Sequence, residues 1–192
     1  MCIRDRIYGE GEWKVRKHGY SKRRTWRKLH VGVDEKTGMI HAVVLTSNSE
    51  DDASQVEPML DQIENKVDKV GADGAYDREK CWDLLEEEKI QGIIPPQKNA
   101  VYWTDENDMI LEDYERNKIL AQIDEIGRAQ WKKESGYHRR SLSETAMYRF
   151  KTIFGRKLFS RNEEQQKIEA TVKIKMLNKM TANGMPISVR VN

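Results

Sequence analysis

The chain has 192 residues, 38% of them hydrophobic and 34% charged, with a mean hydropathy of −0.84; that is enough for one domain with a modest core and a strongly charged surface. No stretch approaches the roughly 20 apolar residues of a membrane helix, and no apolar segment near the start reads as a signal peptide, so a cytoplasmic protein with no membrane association is expected. Cys2 and Cys81 are the two cysteines, too few and too far apart for a disulfide framework or a zinc ribbon.

The formal net charge of +2 conceals sharp local polarity. Lys14, Arg16, Lys17, Lys22, Arg23, Arg24, Arg27 and Lys28 set eight cations in fifteen positions with no acid among them. Residues 105–125 are acidic, and residues 132–157 turn basic again. Tyr20, Trp26, Trp131, Tyr137 and Tyr148 are interleaved with the two basic blocks, a pattern suited to a nucleic-acid backbone. A solvated charged face is the other reading of such a run.

In chain order, residues 26–33 and 39–46 are rich in β-branched side chains and flank a turn at 34–38, which predicts a hairpin. Val56, Met59, Leu60 and Ile63 fall at i, i+3, i+4 and i+7, the apolar stripe of a helix with Pro58 near its start. Residues 66–72 predict a short strand ending at Asp73. A helix over 77–88 follows, burying Cys81, Leu84 and Leu85, then a strand over 92–95 closed by a proline pair. A polar excursion occupies 97–133, with helical character at 117–126. Helices starting near Ser141 and spanning 162–180 complete the chain, the last stopped by Gly184 and Pro186. An α/β fold results, with helices packed on one mixed sheet.

Tyr137, Arg140, Glu144 and Lys151 are spaced Y-x2-R-x3-E-x6-K. On a helix they fall within a sector of about 80°, opposite Leu142, Ala146, Phe150, Ile153 and Phe154. A carboxylate flanked by cations suits a metal-assisted phosphodiester site. Two plainer readings stand beside it: a capping box from Ser141 to Glu144, and an ordinary i,i+4 pair between Arg140 and Glu144. Asp73, at the carboxyl end of a strand, occupies the edge where α/β folds place ligands, or else caps the turn that follows. Together Asp73 and Glu144 could share one cation. His18, His30, His41 and His138 show no metal-ligand spacing and read as surface or strand residues.

The signature inside GYHRRSLSETAMYRFKTIFG, the segment ADGAYD at 72–77 and YGEGEWKVRKHGYSKRRTWRKLH at 8–30 together resemble bacterial insertion-sequence transposases of the DDE class. The resemblance covers residues 7–186. It implies a ribonuclease-H-like mixed sheet flanked by helices, an insertion before the last catalytic helix, and two aspartates and a glutamate holding Mg²⁺ or Mn²⁺. Asp73 then becomes the second catalytic aspartate and Glu144 the glutamate, both metal ligands, with Tyr137, Arg140 and Lys151 on transposon-end phosphates. The implied activity is cut-and-paste transposition, with double-stranded transposon ends and target DNA as partners and a homodimer in the synaptic complex, in a nucleoid-associated bacterial protein. In this family the first aspartate precedes the tyrosine matching Tyr8 by several residues, a position at or before Met1. Residues 1–6 do not match and are read as a non-native start, which makes Asp5 a decoy. Asp34 is a second decoy, a turn residue. Residues 7–186 are accordingly expected to be a catalytic domain truncated at its amino terminus and inactive alone, with 187–192 a tail. A non-catalytic DNA-binding remnant and an unrelated ribonuclease-H-like nuclease are the alternatives.

Overall fold

The computed structural model describes residues 2–9 and 25–184. Strands β1 (Cys2–Gly9), β2 (Thr25–Val33) and β3 (Ile40–Ser47) form an antiparallel sheet with β2 in the middle. The β2–β3 hairpin turns where expected. Asp34 accepts hydrogen bonds on Oδ2 from the Thr37 backbone N–H (3.0 Å) and hydroxyl (2.5 Å), and Gly38 supplies a φ of +69°, a left-handed conformation that disfavours side chains. The hydroxyl bond above all holds the Asp34 carboxyl below its usual range. Its assignment as a turn residue therefore follows from its bonding.

Residues 2–6 of the segment read as a non-native start lie within β1, which pairs along its length with β2, Asp5 opposite Leu29 and Ile7 opposite Arg27. Ile7 is buried in the core. On one face of the sheet, Ile7, Leu29, Val31, Val33 and Leu45 pack against α5 (Ser141–Phe154) and α6 (Glu163–Ala182). On the other face, Ala42 and Val44 join a second core built by α1 (Val56–Leu60), β4 (Lys69–Gly71), α2 (Glu79–Glu87), β5 (Gln91–Ile93), α3 (Glu115–Ile126) and α4 (Arg128–Glu134). Among the described residues no helix is long and apolar enough to cross a membrane.

Several expectations are corrected. Strands β4 and β5 pair in parallel as a sheet of their own, not as part of one mixed sheet. Strand β4 is confined to the three residues that meet β5, in place of 66–72. Helix α1 stops at Leu60, because Gln62 and Ile63 bond to the carbonyls three residues back and tighten the last turn. Trp82, fully buried, is the centre of α2's inner face, whereas Leu84 is only partly buried. Helix α4 was not expected; Gly127, at φ +81°, separates it from α3. Ile153 is 44% exposed, and Met147 takes its place in the core of α5.

Candidate functional site

Asp73 stands two residues beyond β4. On the strand side, Ala72 is fully buried and its N–H bonds the Ile93 carbonyl at 3.3 Å. On the other side, a 3₁₀ turn over Gly74–Tyr76 begins with Asp73 as its cap, Oδ1 accepting from the Ala75 N–H at 2.9 Å. A Cβ on Gly74 would come within 3.2 Å of the Pro95 carbonyl, so this turn lies tightly against the exit from β5. Tyr76 and Asp77 then plunge inward.

Asp77 is the anchor of the turn. Its Oδ1 accepts from Trp82 Nε1 (3.0 Å) and Arg116 Nε (2.8 Å), and its Oδ2 accepts from the Gln97 N–H (3.0 Å). Arg116, equally buried, donates onward to the Val101 carbonyl and lies 4.1 Å over the Trp103 ring. Asn117 next to it pins Trp103 and Leu111 through three backbone hydrogen bonds. A charge-paired, fully bonded centre of this kind ties the 97–117 excursion to the turn carrying Asp73. Sequence reading missed Arg116 and Asn117; the clue to Asp77 was its place closing ADGAYD.

The second half of the site lies at the amino end of α5. Tyr137 and Arg140 sit on a 3₁₀ turn (Tyr137–Arg140) that runs into the helix, entered through Gly136 at φ +73°. Arg140 lies 5.5 Å from the Tyr137 ring centre and donates to Glu144 Oε1 at 2.6 Å, while Lys132 approaches the same ring at 4.9 Å. The capping box does not form. The Ser141 N–H bonds carbonyls of the preceding turn, and Glu144 is held by Arg140 as an i,i+4 pair. The Glu144 side chain stays 51% exposed, open to a ligand.

Lys151, two turns further on, pairs with Asp5 of β1, bridging 146 positions of sequence. Arg27 bonds Gln166 and pairs with Glu163 (3.2 Å), and Lys28 bonds Asp52 (2.9 Å) and the Glu50 carbonyl. Those two cations are engaged within the fold. Lys14, Arg16, Lys17, Lys22, Arg23 and Arg24 lie outside the described residues. The structure thus brings together Tyr137, Arg140 and Glu144, with Lys132 added, and leaves Asp73 on a separate element. The two halves are linked through Tyr137, which with Trp131 packs at the cluster that contains Ala72 and Tyr76, while the helix bearing Glu144 buries Ala146, Met147 and Phe150 in the other core.

No solved structure matches the chain. The profile of the transposase DDE domain matches residues 4–179, a span that takes in Asp5, Asp73, Glu144 and Lys151. A mixed α/β domain with a strand-end aspartate and a Tyr-Arg-Glu cluster opening a late helix accords with that match, and the chain belongs to the transposase DDE domain family, whose members act in DNA transposition and recombination.

Proposed function

We propose that the chain is the catalytic part of a cut-and-paste transposase of a bacterial insertion sequence, acting on double-stranded transposon ends and target DNA. Asp73 and Glu144 are its carboxylate ligands for Mg²⁺ or Mn²⁺. The observation that carries this reading is the packing of Tyr137: it stands at the head of the helix bearing Glu144 and packs against the apolar cluster that fixes the Asp73 turn through Ala72 and Tyr76. Carboxylate oxygens are the donors hard cations take. Among the described residues no group of three or more His, Cys, Asp or Glu gathers, so the pair supplies a part of the ligand set. When bound, divalent ions stabilise charge on the attacking and leaving oxygens of an in-line displacement.

The remaining roles belong to the chain's own side chains. Arg140 is pre-oriented by the Tyr137 ring and the Glu144 carboxylate and offers its remaining N–H donors to phosphate oxygens. Lys132 adds a second cation on the same ring. Lys151 contributes through its position on the next turns of the helix, and of the Lys14 to Lys28 run the cations from Lys14 to Arg24 track the duplex backbone, Arg27 and Lys28 being engaged in ion pairs within the fold. Two copies act together on paired ends.

The first aspartate of the family's ligand set is left unassigned among the described residues.

A strand-cleavage assay on transposon-end DNA tests this with three proteins: the chain, the chain extended by an upstream strand ending in Asp, and that extension carrying Glu144→Gln. Mn²⁺-dependent cleavage by the extended protein alone is expected. Cleavage by the unextended chain would transfer the first-ligand role to Asp5, and activity surviving Glu144→Gln would reduce Glu144 to the partner of Arg140.

A further inference from the structure

Helix α6 is apolar on two sides. Ala170, Ile174 and Leu177 are buried against the sheet. On the far side, Ile168, Val172, Met176 and Met180 recur every four residues at 63, 49, 48 and 38% exposure. At about 100° per residue the first three lie opposite the buried face, where a helix of a single domain ordinarily carries polar residues. Beside that stripe the exposed charges differ in sign at the two ends: Glu164 lies in the first turn and Lys175 and Lys179 towards the end, while Lys167 is paired back to Glu163 at 3.1 Å and Lys173 to Glu169 at 2.7 Å.

We infer that this face pairs with the same face of a second copy, the two α6 helices running antiparallel about Val172. In that register Ile168 meets Met176 of the other copy, and Glu164 comes beside Lys179 at both ends of the seam. A parallel arrangement would set Glu164 against Glu164 and Lys179 against Lys179, which is repulsive. The isologous pairing makes each complementary contact twice. Twenty residues span about 30 Å, so the seam is a small interface and the dimer is weak, on the order of tens of micromolar. This deepens the pairing of copies proposed above and rests on that reading for its purpose; self-association is measured without DNA, so it can fail while cleavage stands.

Sedimentation equilibrium of the full chain at concentrations up to about 200 µM, well above the expected dissociation constant, is the test, with circular dichroism verifying that each variant is folded. A monomer–dimer equilibrium is expected, lost in Val172→Glu. Glu164→Lys and Lys179→Glu should each weaken it about fivefold or more, and the double exchange should restore it. A chain that stays monomeric throughout, a dimer indifferent to Val172→Glu, or a double exchange no tighter than either single one would overturn the inference.

Discussion

Arg116 and Asp77 show how a buried charge can serve a site it does not touch. Each is almost fully removed from water, and the pair is stabilising only because every Asp77 oxygen has a donor. Arg116→Leu strands the carboxylate and is expected to cost about 3 kcal/mol, read from urea unfolding; a loss below about 1 kcal/mol would place the pair at the margin of the fold. His30 makes a second residue-scale prediction. It is buried, hydrogen-bonded to Thr46 through Nε2 at 3.1 Å, with Nδ1 unpartnered. Burial pushes its pKa down to about 4, with Lys28 and Arg4 adding to the effect and Asp52 opposing it. The unfolded chain therefore takes up a proton that the folded chain refuses. Stability contributed by neutral His30 is fully present above about pH 6.5 and falls, by up to about 3 kcal/mol, as pH drops towards about 4. Thermal unfolding across that window should show the decline, and His30→Asn should flatten it. Neither behaviour is written in the sequence, where Arg116 sits in an acidic stretch and His30 in an ordinary strand; Arg116 depends on Asp77, 39 positions away, and His30 on burial and on Thr46 of the next strand, 16 positions away.

Elements were legible where local chemistry decides them. Asp34 to Gly38 specifies its turn by itself, and Asn162 caps α6 by accepting from the Gln165 N–H at 2.8 Å. Legibility failed where tertiary contact decides. The ion pair between Asp5 of β1 and Lys151 has no local signature, since its partners stand 146 positions apart. Strand β4 could not be delimited because its ends are set by β5. Packing of α2 on β5 yields an element-scale prediction. A Cβ at Gly92 would fall 2.5 Å from Trp82 Cζ3 and 2.9 Å from Cη2, and the ring is fixed by its bond to Asp77. Gly92→Ala should destabilise by about 1–3 kcal/mol through overpacking, visible as a lower thermal midpoint; an unchanged midpoint would mean that α2 can slide on the sheet.

At the scale of the whole molecule, two cores flank one three-stranded sheet; the Asp73 turn belongs to one, the helix bearing Glu144 packs in the other, and Tyr137 at the head of that helix reaches across to the first. The sequence disclosed the pieces through spacing and resemblance; their relation depends on Trp131 and Tyr137 packing at the cluster that holds Ala72, which no periodicity encodes. DNA affinity is a property of the assembled surface. The chain should bind duplex DNA with little sequence preference, log K falling with log salt at about −0.9 per phosphate neutralised. Arg23→Ala with Arg24→Ala should reduce that slope by about one to two, whereas an unaltered slope would remove the basic run from the interface. The central claim is that Asp73 and Glu144 serve one cation. Mn²⁺ binding to the folded chain, followed by electron paramagnetic resonance, tests it most directly. Asp73→Asn and Glu144→Gln are each expected to weaken Mn²⁺ binding about tenfold or more, with the double variant little worse than either single one; binding that is unchanged in either single variant would contradict a shared site.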